Sequence, residues 1–420
     1  MSEFVTLGDH ISVQKGKAPL ANGYAGKGAE PYLNPEYLRG RAHAELVKAG
    51  PDAVRAVDGD TILLWDGSNA GEFFRAKAGL VASTMAKISP SKVFCAAYFL
   101  HVAKYIESYL KSQTNGTGIP HVDRDLLEAI RTFCPNSTEQ RVIAAILDTL
   151  DTAIHKTEAI IAKLKAVKQG LLHDLLTRGI DANGELRPPQ AEAPYLYKQS
   201  PLGWIPKEWD SKQLAELLGD IDPAMRSGPF GSALLKQELV EAGLPLLGID
   251  NVHTERFVAD YTRFVTPKKF AQLVRYAVRP DDLMITIMGT VGRCCLVPED
   301  IGQALSSKHT WTISLNQNTY SPYLAMLQVN YSPWVLRRFA CDQQGGTMAA
   351  IRSETLRSMR LPAPPREEQR LMEERLHEVS KRIDLEVDSL AKHHAEKSGL
   401  MDDLLTGRVR VTPLLEATAP

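Results

Sequence analysis

Three short segments contain residue types that are used in catalysis, and each lacks a component that the chemistry requires. The Asn-Pro-Glu-Tyr segment 34–37 lacks the second proline of the Asn-Pro-Pro-Tyr loop used in methyl transfer to adenine, and no glycine-rich methyl-donor loop precedes it. The glycines of segment 23–28 lack dinucleotide-binding spacing, and no Gly-x-x-x-x-Gly-Lys-Ser/Thr motif for ATP occurs. We interpret Cys294 and Cys295 as strand core. The sequence therefore predicts a chain that is not an enzyme by itself.

A second set of polar residues has the chemistry to read nucleic acid. Asn, Gln, Arg, Lys, Ser and Thr supply donors and acceptors that match base edges. Residues of these types cluster in predicted loops. A single one is common in a solvated turn, but their recurrence in both halves of the chain favours a binding face. The candidate DNA contacts are Gln14, Lys15, Lys17, Ser68, Asn69, Arg226, Ser232, Lys236, Lys268, Lys269, Thr290, Arg293, Ser307, Lys308 and His309.

Composition and charge limit the class of protein. The chain has 420 residues, of which 44% are hydrophobic and 24% charged, as in soluble globular proteins. No apolar run reaches the roughly 18 residues of a membrane span, and the five cysteines include no Cys-x-x-Cys pair. We expect a cytoplasmic protein. The net charge of −1 differs from the strongly basic charge of proteins that coat DNA non-specifically, so DNA contacts would be local or shared with partners.

Two long segments with coiled-coil spacing must position these loops. Segment 139–178 recurs as segment 368–407, 229 positions later and without a gap, and 15 of the 40 aligned residues are identical. Both copies begin with Glu-Gln-Arg and end near Leu-Leu-Thr. Their apolar residues recur at alternating steps of four and three, which is the a/d pattern of a coiled coil. The predicted seam consists of Ile143, Leu147, Leu150, Ile154, Ile161, Leu164, Leu171 and Leu175 in the first copy and Met372, Leu376, Val379, Ile383, Leu390, Leu400 and Leu404 in the second.

A lysine interrupts both seams at the same position, Lys168 in the first copy and Lys397 in the second. A polar seam residue weakens packing and fixes register. Each helix is roughly 60 Å long at about 1.5 Å per residue. The shared register predicts antiparallel pairing of the two helices, with Lys168 near Val379 and Lys397 near Leu150.

The globular segments repeat along with the helices. Segment 218–220 echoes segment 7–9, and segment 281–289 echoes segment 59–67. This order indicates one tandem duplication. We predict an α+β fold in which two mixed α/β domains are separated by two long antiparallel coiled-coil helices with pseudo-twofold symmetry. The predicted boundaries are 1–136 for the first domain, 137–178 for the first helix, 179–206 for a proline-rich extended linker, 207–365 for the second domain, 366–408 for the second helix and 409–420 for a tail.

The repeated helices resemble the two conserved regions of the specificity subunit of type I restriction-modification enzymes. Segment 200–209, Ser-Pro-Leu-Gly-Trp-Ile-Pro-x-x-Trp, resembles the beginning of that family's second target-recognition domain. Segments 227–232 and 289–293 resemble parts of such domains, and Gly-Lys-Ala-Pro at 16–19 resembles a common opening of them. The resemblance covers essentially the whole chain.

The resemblance implies a recognition role. Each globular domain would be a target-recognition domain that reads one half of a bipartite target in double-stranded DNA. The helices would set the spacing between the halves and dock two DNA adenine methyltransferase (modification) subunits, which restriction and translocase subunits would join. S-adenosylmethionine, ATP and Mg²⁺ would be bound by the partners, with no cofactor or metal on this chain and no membrane partner.

Two alternatives stay open from the residues alone. One is a coiled-coil scaffold that carries two peptide-binding domains and has no role on DNA. The other is the specificity subunit of a methylation-only system, because a nuclease would lie on another chain.

Overall fold

The computed structural model describes residues 3–113, 120–343 and 351–417. The glycine-containing breaks that the sequence predicts at 115–118 and 345–347 lie outside these residues. Within the described ranges, no helix combines the length and the apolar character needed to cross a membrane.

The chain divides into two compact units, and each is a mixed α/β domain joined to parts of the long helices. The first unit consists of Met1–Ile160 and Glu386–Pro420, and the second of Ile161–Leu385. Each unit is described separately below.

Short strands dominate the first domain, and a long helix follows it. The elements are β1 (Phe4–Thr6), β2 (Ile11–Lys15), β3 (Ala29–Leu33), α1 (Pro35–Leu38), β4 (Glu45–Lys48), β5 (Arg55–Ala56), β6 (Thr61–Leu64), β7 (Phe73–Arg75), β8 (Gly79–Val81), β9 (Met85–Pro90), α2 (Ala96–Ser112), α3 (Arg124–Ala129), β10 (Arg131–Phe133) and the long helix α4 (Ser137–Thr177).

The second domain and its helix follow in a similar order. The elements are β11 (Tyr197–Ser200), β12 (Gly203–Pro206), β13 (Asp210–Gln213), β14 (Met225–Ser227), β15 (Leu244–Leu247), β16 (Val252–His253), β17 (Arg256–Phe257), β18 (Phe264–Val265), α5 (Pro267–Gln272), β19 (Leu283–Thr286), β20 (Cys294–Leu296), β21 (Leu305–Ser306), β22 (Thr310–Ile313), α6 (Pro322–Tyr331), α7 (Pro333–Gln343), α8 (Ser353–Ser358), β23 (Arg360–Ala363), the long helix α9 (Arg366–Leu405) and α10 (Thr412–Ala417).

The two domains share one sheet topology. The first has a sheet of order β2-β9-β6-β7 and the second a sheet of order β14-β22-β19-β20, and every neighbouring pair in both is antiparallel. A second sheet in each contains one parallel pair, β3 with β8 and β15 with β21. The predicted duplication therefore extends to the fold of the globular domains, where sequence similarity is faint.

The central strands of both domains read as continuous apolar runs because both of their faces are covered. All four residues of β6 and all four residues of β19 are buried. In the first unit, α2 packs on β6 and β7, and its Phe99 and Val102 join a core that includes Leu63 and Phe73. Burying one such side chain contributes roughly 1.5–3 kcal/mol.

Each predicted seam position on α4 and α9 is buried or half-buried. In the first unit, Ile143 and Leu147 share a core with Leu404. In the second unit, Leu175 shares a core with Met372, so that the far end of α4 meets the near end of α9. The a/d spacing thus predicted the buried faces of both helices.

Segment 179–206 differs from the extended linker that its prolines predicted. It contains the hairpin β11-β12, and Ile180, Arg187 and Ile205 are buried in the second unit. Proline is tolerated here because the hairpin has only two strands and offers edge positions that need no N–H donor.

Candidate nucleic-acid interface

Three loops of the first domain meet at one edge of its larger antiparallel sheet. β2 ends at Lys15, β6 ends at Leu64 and β9 begins at Met85. The strand register pairs Lys15 with Ala86 and Leu64 with Met85. The loops that follow β2 and β6 therefore lie beside the turn that precedes β9.

Backbone contacts fix these loops against one another. The N–H groups of Trp65 and Asp66 donate to the carbonyl oxygen of Thr84 at 2.9 and 3.1 Å. A Cβ atom at Gly16 would lie 2.1 Å from the carbonyl oxygen of Ala82, so glycine is required for this close approach. Side chains on the loops consequently project from a defined backbone.

The second domain places three loops at the matching sheet edge. β14 ends at Ser227, β19 ends at Thr286 and β22 begins at Thr310, and the strands run antiparallel through β22. The loops after β14 and β19 thus adjoin the turn before β22, as their counterparts do in the first domain.

The same two kinds of contact hold this second edge. The N–H of Ile287 donates to the carbonyl oxygen of His309 at 3.1 Å, and the N–H of Gly228 donates to the carbonyl oxygen of Ser307 at 3.1 Å. A Cβ atom at Gly228 would lie 2.0 Å from the carbonyl oxygen of Ser306. Gly16 and Gly228 therefore occupy equivalent positions in the two domains.

Most of the predicted DNA-contacting residues lie at these two edges, here called the loop edges. The first loop edge carries Gln14, Lys15, Lys17, Ser68 and Asn69, which are exposed. The second loop edge carries exposed Ser232, Lys236, Thr290 and Lys308, half-buried Arg293 and His309, and buried Ser307.

Ion pairs distinguish some of the predicted lysines from others. Lys15 Nζ lies 2.8 Å from Asp66 Oδ2, and Lys269 Nζ lies 2.8 Å from Glu238 Oε1. Lys268 and Lys269 belong to α5, and the ion pair of Lys269 joins this helix to the segment that carries Lys236. Lys17 is exposed on the loop after β2.

Arg226 does not fit the predicted DNA contact, because its guanidinium is buried and forms its hydrogen bonds inside the second domain. The residue is 3% exposed and forms an ion pair with Asp282. It also donates from Nε to the carbonyl oxygen of Ala277 at 2.8 Å and from Nη1 to Ser314 Oγ at 3.0 Å. Met225 and Arg226 are both buried, so both faces of β14 are covered here, and we remove Arg226 from the candidate interface.

A basic cavity of about 230 Å³ lies at the second loop edge. Lys236, Arg263 and Lys308 line it together with leucines of the loop and of β15. Arg263 forms an ion pair with Asp250, both partly exposed. The excess positive charge suits contact with phosphate groups.

His309 lines the same cavity. Its Nδ1 lies 3.3 Å from Met288 Sδ. Partial burial, followed by the charges of Lys308 and Arg263, lowers the pKa of the His309 imidazole below its ordinary value. The ring is therefore neutral at neutral pH.

Sequence reasoning missed several residues at the loop edges. Ser83 and Thr84 were not proposed as DNA contacts, but they are exposed in the turn before β9. Arg263 was not proposed at all. The signal for Ser83 and Thr84 was present in the strand pattern, because the turn before a strand lies beside the loops that follow its two antiparallel neighbours.

The glutamates of the two Glu-Gln-Arg heads are buried anchors of the long helices. Glu368 accepts from Arg187 Nη2 at 3.0 Å and from Trp209 Nε1 at 3.0 Å in the second unit. Glu139 accepts from Arg410 Nη2 at 2.8 Å and from Thr412 Oγ1 at 3.0 Å in the first. Each arginine follows the end of one long helix and binds the head of the other.

The adjacent glutamines fasten each domain to its helix. Gln140 accepts from the N–H of Cys95, which caps α2, and donates to the carbonyl oxygen of Pro135 at 2.8 Å. Gln369 accepts from the N–H of Ser321, which caps α6, and donates to the carbonyl oxygen of Pro364 at 2.8 Å. The glutamate and glutamine of the Glu-Gln-Arg motif thus attach each long helix to its neighbouring segments, and this explains their repetition without a catalytic role.

The two seam lysines have different partners. Lys397 forms an ion pair with Asp151, one residue beyond the predicted neighbour Leu150. Lys168 Nζ lies 2.7 Å from Glu255 Oε2, in the turn between β16 and β17, and its predicted position near Val379 stays a prediction. The ammonium groups reach past the apolar seam to the nearest carboxylate.

One group of side chains in the first unit has metal-ligating types. Potential ligand atoms of His101, Asp148 and Asp151 all lie within 4.8 Å of one another. Both carboxylates are already paired with cations, Asp148 with Arg75 at 2.7 Å and Asp151 with Lys397. Burial lowers the pKa of His101, and its Nε2 lies 3.1 Å from Asp148 Oδ1, so the group ties α2 to α4.

Segment 34–37 forms the start of a short helix. Asn34 Oδ1 accepts from the N–H of Tyr37 at 2.9 Å and caps α1, with Pro35 in the first turn. Cys294 and Cys295 are buried in β20, as predicted.

Comparison with known proteins identifies relatives along most of the chain. A family profile described as type I restriction modification DNA specificity domain matches residues 1–166 and 247–392. The type I restriction enzyme MjaVIII specificity subunit of Methanocaldococcus jannaschii is 30% identical over 419 residues, which cover 98% of this chain and 94% of that protein. The EcoBI specificity subunit of Escherichia coli is 21% identical over 298 residues, 68% of this chain and 61% of that one.

Solved structures share the fold. The S subunit of a type I restriction-modification system from M. genitalium matches with a TM-score of 0.58 and 14% identity, over 96% of this chain and 95% of that chain. With paired profile matches, full-length similarity and a common fold, this chain belongs to the family of type I restriction-modification specificity subunits.

Proposed function

We propose that each domain reads one half of a bipartite site in double-stranded DNA through its loop edge. The observation that carries this is the recurrence of one arrangement in both domains: three loops at a sheet edge, tied by equivalent backbone contacts and bearing polar and cationic side chains. Base reading needs side chains held on a defined backbone, and phosphate contacts need local positive charge.

The long helices would set the gap between the half-sites. In each unit, the end of one long helix packs against the beginning of the other. This packing supports an antiparallel pair of α4 and α9 along their full length and a pseudo-twofold relation between the repeats. Helices of roughly 60 Å suit two domains that contact DNA about one turn, ~34 Å, apart.

Catalysis would reside on partner chains. Two DNA adenine methyltransferase subunits would dock on the helices and bind S-adenosylmethionine, and restriction subunits would supply translocation and cleavage with ATP and Mg²⁺. The near-neutral charge of this chain fits a complex in which the partners provide much of the phosphate contact.

The decisive experiment is methylation mapping with the complete complex. This chain, co-expressed with its methyltransferase partner, is incubated with a random DNA library and the modified adenines are located by sequencing. We expect two short sequences separated by a fixed gap. A complex that assembles but modifies adenines regardless of sequence, or binds no DNA, would exclude the proposal and favour a protein-binding scaffold.

A matched pair of variants connects the result to the loop edges. Replacing residues 82–84 by a different sequence should change the bases preferred in the first half-site only. Replacing residues 307–309 should change the bases preferred in the second half-site only. An exchange in one domain that alters both half-sites would contradict separate reading by the two domains.

A further inference from the structure

We propose that His309 determines specificity in the second domain by accepting a hydrogen bond at Nε2 from an exocyclic amino group of a base, adenine N6 or cytosine N4, in the major groove. This inference rests on the proposed function and assigns a recognition role to one atom of the second loop edge.

The backbone of His309 is held in place before any ligand arrives. Its carbonyl oxygen accepts from the N–H of Ile287 at 3.1 Å, and Thr310, the next residue, donates from Oγ1 to the carbonyl oxygen of Ser307 at 3.2 Å. A side chain that reads a base must keep its geometry within a fraction of an ångström, and such fixed turns provide that.

The contact with Met288 selects the tautomer. A thioether sulfur accepts weakly and has no proton to donate, so the hydrogen bond from the ring to Sδ places the proton on Nδ1 of His309. The opposite nitrogen, Nε2, is then left with a lone pair. Among the described residues, none forms a hydrogen bond with Nε2 of His309.

Burial and the neighbouring charges keep the ring neutral. Partial burial, followed by the charges of Lys308 and Arg263, lowers the pKa of His309, and Lys236 lines the same cavity. Asp250 compensates Arg263 through an ion pair. A cationic surrounding disfavours the imidazolium, so Nε2 remains an acceptor at neutral pH.

An acceptor at this position distinguishes two classes of bases. In the major groove, adenine and cytosine present amino donors, whereas guanine and thymine present carbonyl acceptors. His309 therefore selects an amino base on one strand, while Lys236 and Lys308 beside it face the flanking phosphates. Thr84 holds the equivalent position in the first domain, since its carbonyl oxygen accepts from Trp65 as that of His309 accepts from Ile287. A hydroxyl both donates and accepts, so Thr84 imposes no such choice.

The test is methylation mapping of the whole complex with His309→Phe and His309→Lys. Phenylalanine keeps a planar ring and removes the acceptor, so preference at one position of the second half-site should fall roughly 5- to 150-fold, the range expected for one good base contact. Lysine replaces the acceptor by a donor and should shift that position toward guanine or thymine. Lys308→Ala is the matched control and should weaken all sequences alike.

The first half-site reports independently on assembly. Unchanged selectivity there shows that a variant is assembled with its partners, and unchanged selectivity at the other positions of the second half-site shows that the second domain is folded. A base analogue without the exocyclic amino group, placed at the affected position, should weaken binding of the wild-type complex and not of the His309→Phe complex. Retained wild-type preference in the phenylalanine variant, or tolerance of the analogue by the wild type, would overturn the role of His309. Absence of any sequence preference in the wild-type complex would instead refute the proposed function.

Discussion

Two glutamates, one at the head of each long helix, show how single residues define this frame. Glu139 is 1% exposed and Glu368 is 7% exposed, and each binds an arginine that follows the end of the other helix. Removing one partner of a buried ion pair leaves the other charge buried without a counter-charge and lowers the free energy of unfolding by about 3–5 kcal/mol. These residues are therefore determinants of folding, separate from the proposed DNA contacts.

Glu139→Gln should destabilise the first unit at neutral pH by about 3 kcal/mol, at the low end for buried pairs because Arg410 is partly exposed. The hydrogen bonds from Arg410 lower the pKa of Glu139 in the folded state. A carboxyl group with a lowered folded pKa stabilises the protein above its unfolded pKa of about 4.3, and this stability is lost as the pH falls through the folded pKa. The difference in unfolding free energy between wild type and variant should therefore shrink below about pH 4. Glu3→Gln, which alters the exposed partner of Arg410, is the control and should cost less than about 1 kcal/mol.

The loop lysines should contribute to DNA binding according to their ion pairs. Lys17→Ala should weaken binding to all sequences and reduce the slope of log K against log salt by about one unit. Lys15→Ala should reduce this slope less, because Lys15 already pairs with Asp66 and is less available to phosphates. Filter binding across a salt series measures both. Equal slopes for the two variants would show that the Lys15–Asp66 pair does not persist on DNA.

At the scale of elements, α4 and α9 combine a repeated seam with unequal polar contacts. Lys397 pairs with Asp151 on the opposite helix, but the residue that matches Asp151 in the second copy is Ser380, and Lys168 pairs with Glu255 of the second domain instead. The helices remain alike in their apolar positions while their lysines serve different attachments.

The helices should determine the gap between half-sites without affecting the bases that are read. Insertion of four residues, about one helical turn, between Ile154 and Ile161 should change the gap by about one base pair and leave both half-sequences intact. Methylation mapping of the insertion variant measures the gap directly. A change in either half-sequence would contradict the separation of reading from spacing.

At the scale of the whole molecule, the duplicated frame predicts that one half can replace the other. In a dimer of residues 1–180, Lys168 of each copy would meet Asp151 of the other, as Lys397 meets Asp151 in the intact chain. With methyltransferase subunits, this fragment should dimerise and modify the first half-site and its inverted repeat. Sedimentation and methylation mapping test this. The variant Asp151→Ser, which imitates Ser380, should weaken the dimer, and a fragment that stays monomeric with partners present would exclude an interchangeable frame.

The isolated chain should not turn over substrate. Without partner subunits we expect no methyl transfer, ATP hydrolysis or DNA cleavage, since the sequence has no methyl-donor loop and no phosphate-binding loop for ATP. Radiolabelled methyl transfer and phosphate release from the purified chain are the measurements. Activity that persists after complete removal of partner chains would place catalysis on this polypeptide.

The sequence by itself determined the repeated helices and their buried faces, because a/d spacing is a local pattern that survives in any tertiary context. It also located most loop-edge residues, since loops follow directly from strand ends. The tertiary structure decided which of them are available. Arg226 is buried by its position on β14, Lys15 is paired across a sheet edge, and Thr84 is exposed by strands distant in sequence. The partners of Glu139, Glu368 and Lys168 were likewise beyond sequence reasoning, because burial and ion pairing depend on chain segments brought together only by the fold.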